Sequence, residues 1–294
     1  MKERRLHRRG IVFGILAGCF MSTVGILIRQ IEAASEWQII FYRSVTLAMM
    51  LICIIWVKYR TKTGHQLAES GIVAVIAGGC LAIAFTGFIL SIMHTTVANT
   101  LFLLTSAPIL TAIIARIVIK EPVRPATWIF MTVALMGITI MVINGLAIGS
   151  LFGNLMGLLA ALGHSCFAVV LRWGQKKDMI PAVFFAGVFA AIVSIFMVDG
   201  FSISLHDLLV CISLGVLGLG LGLILFTWAS RLLPAAELVL LALVEVILGP
   251  VWVWIGVGEV PSALTLIGGV IMFGAIVGHA LTGMRRSQFP PVTA

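Results

Sequence analysis

Most charged residues in this 294-residue chain lie between apolar runs, but a few lie inside them, and these are placed to do chemistry. Glu245 falls near the middle of an apolar run at about 235–257, and Glu237 opens the same run. Arg43 lies early in a run at about 37–57, and His164 lies mid-run at about 153–173, beside Ser165. Holding a charge in hydrocarbon costs roughly 3 kcal/mol or more, so such groups are functional candidates by default. Glu245 can receive a cationic group or exchange a proton. It can equally serve as a structural partner of Arg43 or bond to a neighbouring helix. Glu237 can line a pathway or simply be a carboxylate favoured at a helix start by the dipole. Arg43 can snorkel outward, brace a bundle through a carbonyl or Glu245, or hold a substrate carboxylate. His164 is a candidate pathway residue or a hydrogen-bonded packing residue; His94 and His279, near run ends, are assigned no role.

The elements that would carry these groups are membrane spans. The chain is 61% hydrophobic and only 10% charged, where a soluble domain is nearer a quarter charged. Its mean hydropathy is +1.18. A span needs about 20 apolar residues to cross roughly 30 Å of hydrocarbon. Runs at about 10–31, 37–57, 70–91, 95–117, 126–146, 153–173, 180–199, 206–229, 235–257 and 262–284 predict ten transmembrane helices and leave no room for a sizeable soluble domain.

The formal charge of +8 does not indicate nucleic acid, because the basic residues are scattered between spans and no separate basic domain exists. They are distributed by side. Lys2, Arg4, Arg5, Arg8, Arg9, Lys58, Arg60, Lys62, Arg116, Lys120, Arg124, Arg172, Lys176, Lys177, Arg231, Arg285 and Arg286 fall on one side, seventeen of the 19 Lys and Arg. The opposite loops hold Glu32, Glu36, Asp199, Asp207 and Glu259 and no Lys or Arg. The positive-inside rule then predicts both termini in the cytoplasm. Cys19, Cys53, Cys80, Cys166 and Cys211 lie in apolar runs without a C-x-x-C, so neither disulfides nor a zinc site is expected. Leu16-Ala17-Gly18-Cys19 resembles a lipoprotein cleavage box, but the apolar run continues to Ile28, which reads as an uncleaved first span.

The ten spans are two copies of five. Gly14-Ile15-Leu16-Ala17 matches Gly157-Leu158-Leu159-Ala160 at an offset of 143, which also pairs Ser22 with Ser165 and Arg29 with Arg172. At an offset of 138, Glu121 pairs with Glu259, Asn99 with Glu237, Ala107 with Glu245 and Pro108 with Val246. An odd-numbered unit re-enters the membrane from the other side, so the repeats are expected to be inverted, over 10–144 and 153–284, with the midplane site of a secondary transporter between them. Symmetry makes Asn99 a candidate at the outer mouth, opposite Glu237. Pro108 and Pro250 are candidate helix breaks, since each removes a backbone hydrogen bond. Trp228, Trp252, Phe85 and Phe88 can supply an aromatic wall, which suits cationic ligands, or face lipid.

Arg43 in the second span, Pro108 followed by Glu121, and Glu245 followed by Glu259, each glutamate trailed by proline and a further span, resemble the EamA-type members of the drug/metabolite transporter superfamily. The resemblance implies ten helices, a cavity between the halves and alternating access. It usually places Glu-Pro in mid-span nine; here Val246 follows Glu245 and the proline comes at Pro250, which displaces the expected break by about one turn. The chain has no G-x-x-x-x-G-K-[ST], H-E-x-x-H or G-x-S-x-G motif. The expectation is therefore a multi-pass bacterial inner-membrane carrier of a small organic metabolite, an amino-acid-like zwitterion or an amine, with no catalytic residues, cofactor, metal or nucleic-acid partner. A membrane-embedded enzyme or a non-transporting scaffold is the alternative, and a homodimer is left open.

Overall fold

The computed structural model describes residues 2–95, 97–142, 151–258 and 262–285, and every regular element among them is helical. In order these are α1 (Lys2–Met21), α2 (Thr23–Arg29), α3 (Glu36–Tyr59), a short 3-10 turn (Arg60–Lys62), α4 (Thr63–His94), α5 (Val97–Leu104), α6 (Ala107–Val118) and α7 (Pro125–Val142). The second half runs α8 (Leu151–Trp173), α9 (Ile180–Ile195), α10 (Leu205–Ser213), a π-helical segment (Leu214–Leu221), α11 (Gly222–Ala229), α12 (Ala235–Ala242), α13 (Val244–Val257) and α14 (Ala263–Arg285). Most of the expected linker between the halves, Glu259, and the side chains of Asn99 and Pro250 lie outside the described residues.

Among the described residues, seven segments are long and apolar enough to cross a membrane: Arg5–Arg29, Glu36–His94, Thr100–Val118, Leu151–Trp173, Leu205–Ala229, Ala235–Gly256 and Ala263–Thr282. Pro125–Ile140 and Ile180–Ile195 are shorter apolar helices, and Glu36–His94 contains both α3 and α4. Helices suit this setting because hydrocarbon offers no partner to an unsatisfied backbone group. Large apolar side chains face outward all round, Phe196 at 80% and Val270 at 72% exposure among them.

Local chemistry fixes the ends. Ser35 opens α3 with a capping box, accepting the Gln38 N–H while the Gln38 side chain accepts its own N–H. Ser204 accepts the Asp207 N–H at 3.0 Å and opens α10. Gly71, at φ 68°, bends α4 where a side chain would be strained.

The packing repeats itself across the two halves. α3 lies along α9, and α7 along α14, so equivalent spans of the two units pair directly. The extensive α4–α8 contact has its counterpart in α1 against α11, and α6–α8 has its counterpart in α13–α2. This is the pairing expected of two units related by an approximate two-fold axis. The α4–α8 crossing is close because a Cβ at Gly163 would stand 2.7 Å from the Cys80 carbonyl oxygen, and one at Gly87 2.7 Å from that of Met156.

Candidate functional site

Two spans are interrupted at matching positions. The first breaks at Thr105–Ser106 between α5 and α6; the second breaks at Leu243 between α12 and α13, which is Thr105 plus the repeat offset of 138. In the first break the Thr105 and Ser106 hydroxyls donate to the Phe102 and Leu103 carbonyls, each at 2.6 Å, and the Leu103 carbonyl also accepts the Ser106 N–H at 3.1 Å. Pro108 lies in the first turn of α6, where a missing N–H costs nothing. The expected break at Pro250 is corrected: α13 runs on through that position, and the interruption comes seven residues earlier. A break therefore forms in the second half without proline, and the close approach of Gly18 of α1 to the Ala242 carbonyl and Val244 places another helix against it.

Glu245 sits in the first turn of α13, immediately after this break. It is half-buried and makes no hydrogen bond or ion pair among the described residues. A helix N-terminus favours its negative charge, so the position can hold a carboxylate ready for a cation.

Arg43 does not meet Glu245. It is 1% exposed, donates from Nη2 to the Phe85 carbonyl at 2.9 Å and lies over the Phe85 ring at 5.1 Å, bracing α3 against α4. Its Nε has no acceptor. His164 is half-buried on α8, with the rings of Phe226 at 5.3 Å and Phe167 at 6.3 Å, and has no polar partner among the described residues. Trp228 is 42% exposed and packs against Phe13, on the outside of the bundle rather than in a pocket. Trp252 instead donates from Nε1 to Ser22 Oγ at 2.8 Å, where α1 gives way to α2.

Glu237 is 2% exposed, and its surroundings had no signal in the sequence. His7 Nε2 of α1 comes within 3.2 Å of Glu237 Oε1. His279 of α14 and Arg124 ahead of α7 also act on its charge. His279 Nε2 meets Thr127 Oγ1 at 3.2 Å. Beside this group Glu121 accepts from Arg172 Nε at 2.9 Å and from the Ala235 N–H at 3.1 Å. Glu121, Pro122, Val123, Arg124, Thr127, Pro234, Ala236 and Glu237 line a small cleft there. Among the described residues no three His, Cys, Asp or Glu side chains gather as a metal site.

Paired interrupted helices in a duplicated apolar bundle, with a glutamate directly after the second break, mark a multi-pass membrane transporter. The chain belongs to the EamA-like transporter family, whose model matches twice, over residues 8–143 and 151–280, placing it in the drug/metabolite transporter superfamily. It is 28% identical over 212 residues to the uncharacterized transporter YdfC of Bacillus subtilis, covering 69% of each chain. It is 22% identical over 284 residues to the pseudopaline exporter CntI of Pseudomonas aeruginosa, covering 94% of this chain and 98% of that one. Solute carrier family 35 member G1 of Homo sapiens is 24% identical over 291 residues, covering 92% and 79%. A solved crystal structure superposes with a TM-score of 0.77 at 17% identity, over 94% of this chain and 99% of the other, a likeness of fold alone.

Proposed function

We propose that this protein is a secondary transporter that moves a small organic amine across a bacterial inner membrane by alternating access. The two five-helix units, 10–144 and 153–284, are read as inverted, with ten crossings and both termini in the cytoplasm. They rock about a site near Glu245. The observation that carries the substrate class is the half-buried Glu245 carboxylate at the start of α13, with no hydrogen-bond or ion-pair partner among the described residues. A substrate ammonium supplies the missing positive charge beside the interrupted helix. The contact pattern of matched elements supports two units that move against each other. A relative named as an exporter favours outward movement.

One observation favours a zwitterion instead. Among the described residues the buried Arg43 Nε has no acceptor, and a substrate carboxylate is the group it would donate to if α4 moved away. Counterflow in proteoliposomes separates the readings, using radiolabelled amines and amino acids first ranked by thermal shift, since a ligand bound to the native state raises its stability. Glu245→Gln abolishes counterflow of either class. Arg43→Gln reduces amino-acid counterflow more than amine counterflow if the zwitterion reading holds. Full counterflow by Glu245→Gln removes Glu245 from the mechanism.

A further inference from the structure

Six buried side-chain atoms among the described residues have no aligned hydrogen-bond partner, and three belong to one cluster: His7 Nε2, Glu237 Oε1 and His279 Nδ1. Buried polar atoms are normally satisfied, so such a concentration needs an explanation. His7 Nε2 and Glu237 Oε1 are only 3.2 Å apart, and one shared proton would satisfy both. The cluster also ties the two repeats together, since His7 comes from α1 of the first and Glu237 from α12 of the second.

We propose that His7 and Glu237, with His279 beside them, form a proton-operated latch on the cytoplasmic end of the pathway. The proposal rests on the transport reading above. With a proton on the pair, imidazolium and carboxylate attract in a largely buried setting, and α12 is held to α1. When the proton leaves, Glu237 keeps its charge but loses the partner that held it, and the seam is free to part. Other charges facing Glu237 do not replace that attraction. Arg124, ahead of α7, acts on it but stays charged throughout; Arg172 of α8 is engaged by Glu121; Arg116 of α6 and Arg5, Arg8 and Arg9 of α1 are exposed. Asn99, the repeat equivalent of Glu237, cannot ionise, so the latch is built into one side only. Opening toward the cytoplasm is thereby linked to proton release on that side.

Ala236 is buried, and it lines the adjacent cleft. The full chain carrying Ala236→Cys is exposed to a membrane-impermeant maleimide in inside-out vesicles, against the blank of the parent chain. Its rate is divided by that of the exposed Lys176→Cys, which removes the pH dependence of thiol chemistry. Between about pH 6 and about pH 8.5, the normalised rate rises about tenfold, the size of a modest population shift. In the Glu237→Gln background it is fast at both pH values. Should that variant fail to fold, His7→Gln gives the same flat profile through the other partner. A flat profile in the otherwise unchanged chain, or an undiminished rise in the folded variants, overturns the latch. The labelling needs no substrate. A flat profile with active counterflow therefore defeats the latch alone, and a titrating profile without counterflow of any tested solute defeats the transport reading alone.

Discussion

Arg172, near the C-terminal end of α8, holds Glu121, which follows α6, at 2.9 Å, and both side chains are buried. The other oxygen of the same carboxylate takes the N–H of Ala235, where α12 begins, at 3.1 Å. One carboxylate therefore joins the end of α6 in the first half to α8 and α12 in the second. Arg172 completes the junction by donating to Gln175 and to the carbonyls of Ser230 and Arg231.

Removing one partner of this pair leaves an uncompensated buried charge, which costs about 3–5 kcal/mol. Glu121→Gln and Arg172→Gln each lower the thermal midpoint of the purified protein strongly. Because the two residues share one interaction, the double variant loses less than the sum of the singles. Additive losses would mean that the pair is not coupled.

Asp207 is fully buried and receives the N–H groups of Glu32, Ala33 and Ala34 at 2.9, 3.1 and 3.0 Å. Asp207→Asn turns one acceptor oxygen into an NH₂ facing these donors, at a cost of about 1–3 kcal/mol. The loop at 30–35 then becomes the first site of limited proteolysis in detergent. An unchanged cleavage pattern would show that the carboxylate does not hold the loop.

Asp178, just ahead of α9, ties it to the last turn of α3, accepting from Lys58 Nζ at 2.7 Å, Tyr59 Oη at 2.6 Å and the Ile180 N–H at 3.2 Å. Burial pushes its pKa up, but the bonds from Lys58, Tyr59 and Ile180 outweigh this and hold it below the usual carboxylate value. The folded pKa is depressed, so the stabilisation is fully present above the unfolded value of about 4. It is lost as pH falls through the folded value. Asp178→Asn flattens the dependence of the thermal midpoint on pH below about 4 relative to the parent, and an identical acid profile in both would contradict this.

Gly163 and Gly79 offer a paired test of close packing. A Cβ at Gly163 meets the Cys80 carbonyl at 2.7 Å and the Ala84 nitrogen at 2.9 Å, whereas one at Gly79 meets nothing within 4 Å. Gly163→Ala forces α4 from α8 and costs about 1–3 kcal/mol; Gly79→Ala is neutral or slightly stabilising. Equal midpoints for the two variants would refute the tight crossing.

The sequence by itself determined the all-helical apolar bundle, the duplication and the residues held inside apolar runs. These depend on local composition and on spacing that survives duplication, both of which can be read along one chain. The matching interruptions follow the repeat offset, yet proline does not mark the second one: Pro250 stays inside α13 while Leu243 breaks. Packing by α1 at Gly18 decides that point, and no residue near Leu243 announces it. Arg43 was legible as an unusual charge, but whether it faced Glu245 or the Phe85 carbonyl depended on how α3 is turned against α4. The His7–Glu237 contact joins residues at opposite ends of the chain, and Arg172–Glu121 spans the two repeats. Such pairs exist only once helices have packed, because a side chain's partner is set by which helix lies beside it and at what depth. Tertiary structure alone decided which charges are held and which, like Glu245, have no partner among the described residues.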